Sequence, residues 1–163
     1  MISTERLLFV PIAPLHRQAF AAGTLAELLG VSIPAAWPKF PEAFAPKMAD
    51  AVDSAWNGFL FIHERAGALV GNGGFYGPPN DAGEVEFGYE IAPEHQNRGY
   101  ATEAVSGFID FAFADARVLR VVAHTLAHKN ASNAVLIKAG LEFVAELPNA
   151  ELGKVWRWQR ARS

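Results

Sequence analysis

EVEFGYEIAPEHQNRGYATEAV, residues Glu84 to Val105, holds the key to the architecture. Its first part alternates with a period of two, so Val85 and Phe87 take one face of a strand while Glu84 and Glu86 take the other. Pro93 closes that strand, and a short turn containing Gly99 follows. Beyond it, apolar residues fall at Ala101, Ala104, Val105, Phe108, Ile109 and Ala112, the spacing of one helix face. The first N–H groups of a helix have no intrahelical acceptor, and the dipole adds positive charge at the same end. A strand that passes through a glycine turn into such a helix suits a phosphate or pyrophosphate, with Gly99 allowing close approach and Ala101 keeping the wall low.

Working outward, RLLFVPI reads as a first strand closed by Pro11 and Pro14. HRQAFAAG and TLAELLG read as two short helices ending at Gly23 and Gly30, the second opened by a Thr24/Glu27 capping box. Between Val31 and Pro46, four prolines interrupt a segment bearing Trp37, Phe40 and Phe44. That segment is either a packed connection or a wall of a substrate cleft, and Trp37 and Phe40 are its candidate substrate contacts. GFLFIHE, ALVGNGGFY and EVEFGYEI form an antiparallel meander. RVVAHTL is the next strand, ASNAVLIKAG a helix stopped by Gly140, and LEFVAEL and KVWRWQR two closing strands. This order predicts one mixed α/β domain over residues 1–163.

Composition excludes several functions. With 14 Lys+Arg against 17 Asp+Glu the net charge is −3, which gathers neither nucleic acid nor anionic lipid. The absence of cysteine rules out a disulfide framework, a zinc ribbon and a thiol adduct. The opening MISTERLLFVPIAPL has charge within its first apolar run, and no run reaches membrane-spanning length, so a cytoplasmic, soluble protein is expected. The Asn130–Ser132 sequon therefore reads as coincidental. GNGGF, Gly71 to Phe75, lies in a hairpin strand rather than at a strand-to-helix turn, and no phosphate-loop motif occurs. His124 and His128 do not share a helix face as a zinc pair would, and no metal is expected.

QNRGYA, Gln96 to Ala101, resembles the Q/R-x-x-G-x-G/A signature of the GNAT superfamily of acetyl-CoA-dependent N-acetyltransferases. VEFGYEIAPEHQNRGYATEA and NASNAVLIKAGLEFV are similar to its RimJ/RimL-type branch. The resemblance implies a central, mostly antiparallel twisted sheet with splayed fourth and fifth strands and flanking helices. It also implies that the backbone of Gln96, Asn97, Arg98, Gly99, Tyr100, Ala101 and Thr102 grips the pyrophosphate of acetyl-CoA. Gly88 would mark a bulge at the splay, with the backbone of Tyr89 and Ile91 receiving the pantetheine arm. Asn130 and Ser132 would touch the cofactor, although a helix N-cap alone also explains them.

Direct acetyl transfer needs a neutral amine and a proton acceptor rather than a protein nucleophile. Glu86, nearest the splay, is the first candidate base, with Glu84 and Glu90 behind it. The family's tyrosine acid falls at Leu136, two residues before Lys138, so thiolate protonation is left to water or Ser132. The expected activity is N-acetylation of a primary amine on a small molecule, peptide or protein N-terminus. The alternatives are a non-catalytic acyl-CoA-binding module and an unrelated α/β nucleotide binder. Trp156 and Trp158 share one strand face, a homodimer surface or core.

Overall fold

The computed structural model describes residues 2–44 and 54–163. Its sheet contains β1 (Ile2–Ser3), β2 (Leu8–Pro11), β3 (Gly58–His63), β4 (Ala68–Phe75), β5 (Glu84–Ile91), β6 (Arg120–Leu126), β7 (Glu142–Asn149) and β8 (Gly153–Ala161). The spatial order is β1-β2-β3-β4-β5-β6-β8-β7, and every pairing is antiparallel except β5 with β6. The helices are α1 (Pro14–Ala22), α2 (Leu25–Leu29), α3 (Tyr100–Phe113) and α4 (Ala131–Lys138). This is the mixed α/β architecture expected from the element order, with one addition: Ile2–Ser3 pairs with β2 and forms a hairpin at the sheet edge. Among the described residues no helix is long and apolar enough to cross a membrane.

Period-two and helical alternation sort the apolar residues into clusters on the two faces of the sheet. On one face Ala104, Val105, Phe108, Ile109 and Ala112 of α3 bury against Phe9, Phe61, Phe75, Val85 and Phe87. Phe108 lies at the centre, its ring 5.1 to 6.1 Å from those of Phe9, Phe59, Phe61, Phe75 and Phe87. Leu136 of α4 and Trp158 of β8 close the same cluster. On the other face Ile12, Ala19, Leu25, Trp37 and Phe44 cover Leu60, Ile62 and Leu69. Trp158 is therefore core, with Trp156 packed against it.

Two local expectations need correction. Thr24 stands at the N-cap of α2, but its side chain makes no capping bond and its hydroxyl instead meets the Ala19 carbonyl at 3.4 Å. Glu27 therefore forms no reciprocal box, and the second helix is set by the left-handed glycines at both its ends, Gly23 and Gly30. The bulge expected at Gly88 is also absent: β4 and β5 stay in register through Gly74↔Gly88 and Gly73↔Tyr89. The space above Gly88 is taken by the Tyr76 hydroxyl, which would lie 2.6 Å from a Cβ at position 88 and would have to swing aside for a larger residue. The glycines of β4 serve close backbone approach, since a Cβ at Gly71 or Gly73 would stand 2.1 or 2.6 Å from a β5 carbonyl oxygen.

Candidate functional site

The splay that the family resemblance implies lies between β5 and β6. Their parallel ladder runs Glu84↔Arg120, Val85↔Val121, Glu86↔Val122 and ends there, although both strands continue. The hydrogen-bond phase shows which groups this leaves open. The Glu86 carbonyl accepts from Tyr76 and the Ala92 N–H donates to Val70, so even-numbered residues bond toward β4. The backbone groups of Tyr89 and Ile91 then turn toward the opening. The Ile91 carbonyl is taken by Gln96 Nε2 at 3.0 Å, which ties the turn to the strand end.

The turn itself is held in a left-handed geometry, with φ +63° at Asn97 and +83° at Gly99. The first bond of α3 runs from Glu103 N–H to the Gly99 carbonyl at 3.1 Å. Among the described residues, the N–H groups of Asn97, Arg98, Gly99, Tyr100, Ala101 and Thr102 find no intrachain acceptor. Unpaired donors converging at a helix N-terminus fit a diphosphate. Tyr100 itself is buried and contributes backbone rather than ring to this surface.

Residues that the sequence did not single out brace the turn. Arg6 Nε donates to Glu103 Oε1 at 2.7 Å, the Arg6 backbone N–H donates to Glu103 Oε2 at 2.7 Å, and the Thr4 hydroxyl donates to the same oxygen. Arg6 Nη1 reaches the Arg98 carbonyl at 3.0 Å, and the guanidinium lies 4.4 Å over the Tyr100 ring. Burial pushes the Glu103 carboxyl up, but the Thr4 and Arg6 hydrogen bonds and the Arg6 charge outweigh it and hold it below its ordinary value. The only sequence signal was an acid in the first helical turn and an arginine far upstream, which no local pattern connects.

At the base of the opening, the face of β5 that carries Glu84, Glu86 and Glu90 gives each acid a different setting. Glu84 Oε2 receives Arg120 Nη1 at 3.1 Å and Arg157 Nη2 at 3.0 Å. Burial raises its carboxyl, and the hydrogen bonds of Arg120 and Asn80 with the Arg157 charge bring it below the ordinary value. Glu86 is 40% exposed and has His124 Nδ1 at 3.3 Å from Oε2. The Tyr76 hydroxyl lies on this face; although much of the ring is open to solvent, lost hydration and then the Glu86 charge raise its phenol. Glu90 accepts the Lys39 N–H at 3.1 and 3.2 Å, and burial raises its carboxyl despite that bond and the one from the Phe40 N–H.

The remaining candidates divide. Asn130 caps α4, its Oδ1 accepting the Asn133 N–H at 3.0 Å while its Nδ2 donates to the His128 carbonyl at 3.1 Å. Ser132 neighbours the Tyr89 hydroxyl, which is buried without a well-formed hydrogen bond among the described residues. Trp37 is 7% exposed and donates through Nε1 to Asn72 at 2.8 Å, so its ring is packed within the core; Phe40 is 51% exposed. Of the irregular segment, residues 45–53 lie outside the described residues. Among the described residues no group of three potential metal ligands occurs.

A family model of the acetyltransferase (GNAT) domain matches residues 6–142. The chain is 34% identical over 74 residues to the uncharacterised N-acetyltransferase YoaA of Bacillus subtilis (strain 168), a stretch covering 45% of this chain and 42% of that protein. It thus spans less than half the length of this relative. The crystal structure of a GNAT-family acetyltransferase from Bacillus anthracis superposes with a TM-score of 0.69 at 18% identity, covering 98% of this chain and 97% of the other. RimL, a ribosomal L7/L12 α-N-protein acetyltransferase in complex with coenzyme A, gives 0.69 at 16% identity over 99% and 96%. At these identities the structural likeness establishes the fold.

Proposed function

We propose that this chain, which belongs to the GNAT acetyltransferase family, transfers the acetyl group of acetyl-CoA directly to a primary amine of a small molecule, peptide or protein N-terminus. The observation that carries this reading is the end of the β5–β6 ladder at Glu86, followed by a turn whose N–H groups from Asn97 to Thr102 lack intrachain acceptors. The turn holds the diphosphate, and the open backbone of Tyr89 with the Ile91 N–H receives the pantetheine arm. Bound acetyl-CoA supplies an acyl group on a thiol leaving group, so the protein need provide no nucleophile, in keeping with a chain that has no cysteine.

Glu86 accepts the proton of the attacking amine, directly or through water. It is the acid at the end of the ladder without an arginine on it, whereas Glu84 is engaged by Arg120 and Arg157 and Glu90 by the loop N–H groups. His124 orients Glu86. Ser132 and the Tyr89 hydroxyl stand on the opposite side of β5, where a departing thiolate takes up a proton. Asn130 serves first as a cap, and Phe40 offers open ring surface to the acceptor. The motifs between Glu84 and Phe143 support the RimJ/RimL-type branch.

A thiol-release screen with acetyl-CoA against amines and peptide N-termini, run beside CoA calorimetry, tests the reading. Acceptor-dependent thiol release with CoA binding supports it. Tight CoA binding without release for any acceptor favours a non-catalytic acyl-CoA-binding module, and no CoA binding overturns the assignment.

A further inference from the structure

Resting on the acetyl-CoA reading, we infer that Arg6 is a positioning residue for the diphosphate, converting the acid-bearing first turn of α3 into an anion site. Glu103 suits the helix dipole, yet its carboxylate lies in the same helical turn whose N–H groups would receive a multiply charged diphosphate. Left alone, that charge would repel the ligand. Arg6 removes the conflict by pairing with Glu103 through Nε and its own backbone N–H, both at 2.7 Å.

The same guanidinium fixes the shape of the turn. Its Nη1 holds the Arg98 carbonyl at 3.0 Å, and its Cζ lies 4.4 Å over the ring of Tyr100, the first helical residue. Nη2 stands where a Cβ at Gly99 would meet it at 3.2 Å. Arg6 is itself fixed by the β1–β2 hairpin, where the Thr4 N–H donates to the Leu7 carbonyl at 2.8 Å and the Leu7 N–H to the Thr4 hydroxyl at 3.2 Å. Thr4 then completes the shell of Glu103. The outermost strands, remote in sequence from the turn, thereby become part of the cofactor site. A lysine cannot reproduce this arrangement, because one ammonium lacks the planar fork that serves Glu103, Arg98 and Tyr100 together.

The test compares CoA affinity by calorimetry in the wild type, Arg6→Ala, Arg6→Lys, Glu103→Gln and Arg6→Ala/Glu103→Gln. Turnover is measured with acetyl-CoA and with S-acetyl-pantetheine, which carries the thioester but no diphosphate. Arg6→Ala should weaken CoA by about tenfold or more, with Arg6→Lys between it and the wild type. The double variant should recover part of the loss, because the uncompensated carboxylate is gone. Turnover of S-acetyl-pantetheine should stay within about twofold of wild type, since the diphosphate contact is missing from both sides of that comparison. Wild-type affinity in folded Arg6→Ala or, if that variant does not fold, in Arg6→Lys overturns the inference, as does an equal loss with both donors. Failure of the wild type to bind CoA overturns the acetyl-CoA reading first and this inference with it.

Discussion

The turn after β5 and the described part of the segment before β3 both bond to β5, yet they are held in different ways. The turn is secured by backbone conformation and by a charge network: left-handed Asn97 and Gly99, Gln96 on the Ile91 carbonyl, and Arg6 joining Glu103, Arg98 and Tyr100. The segment is secured by separate pins: the Leu69 N–H on the Ser32 carbonyl, the Trp37 indole on Asn72, and the Lys39 N–H on the Glu90 carboxylate. Backbone N–H groups recognise what every ligand of one class shares, a diphosphate in the proposed function, while side chains on an irregular segment can differ with the acceptor. Under the proposed function the turn is thus a fixed fitting on the cofactor side and the segment an adaptable one on the acceptor side. Perturbing each side should move different observables.

The largest effect belongs to the border between them. Glu86→Gln keeps size and hydrogen bonding but removes the proton acceptor, so turnover should fall by about 10²-fold while CoA affinity stays near wild type. The deficit should shrink as pH approaches the pKa of the amine, because neutral amine then forms without help. Glu84→Gln, which disturbs an ion pair rather than a base, should show no such pH pattern in initial-rate measurements. If it does and Glu86→Gln does not, the base belongs at Glu84.

On the cofactor side, Gly99→Val places a β-branched residue at φ +83° with its Cβ 3.2 Å from Arg6 Nη2. The strain should cost about 1–3 kcal/mol and displace the turn, lowering CoA affinity in calorimetry by about 10- to 100-fold. Acceptor selectivity, read as the ratio of rates for two amines at saturating acetyl-CoA, should not change. A folded variant with unaltered CoA affinity would break the contrast.

On the acceptor side, Asn72→Ala leaves the indole N–H of buried Trp37 without its partner and should destabilise the protein by about 1–3 kcal/mol. The acceptor KM should rise while CoA affinity holds. Equal losses for both ligands would mean that the two sides are not independent.

How much of this was legible follows from the same division. Strand alternation, the glycine turn and the helix face reside in consecutive residues, so EVEFGYEI and QNRGYATEA disclosed β5, the turn, α3 and the donors at its start. Contacts that close over long sequence separations left no local trace. Arg6 meets Glu103 across the whole β2–β5 meander, and the capping box at Thr24 gave way to an adjacent carbonyl. Gly88 suggested a bulge where β5 stays in register with β4, because a glycine within a regular ladder and one that marks a bulge are identical in sequence. Glu84 and Glu86 share a strand face by period, but which of them is neutralised depends on arginines of β6 and β8.

The smallest effect should come from Glu90, and its sign is informative. Its carboxyl is raised above the ordinary value of 4.5, chiefly by burial, so ionising it in the folded protein is less favourable than in the unfolded chain. The stability associated with the protonated form is therefore fully present below the unfolded value near 4.5 and lost as pH rises through the higher folded value. Glu90→Gln keeps an oxygen for the Lys39 and Phe40 N–H groups but carries no charge. Thermal denaturation across that window should find the variant's stability relative to wild type rising with pH, ending within about 1 kcal/mol of wild type at neutrality. A relative stability that falls with pH would mean that the carboxylate stabilises the loop, making the segment a charge-held structure like the turn and erasing the distinction between the two sides. Glu90→Ala removes the acceptor as well as the charge and should lose stability at every pH. The difference between these variants isolates the hydrogen bonds that hold the loop from the charge that burial opposes.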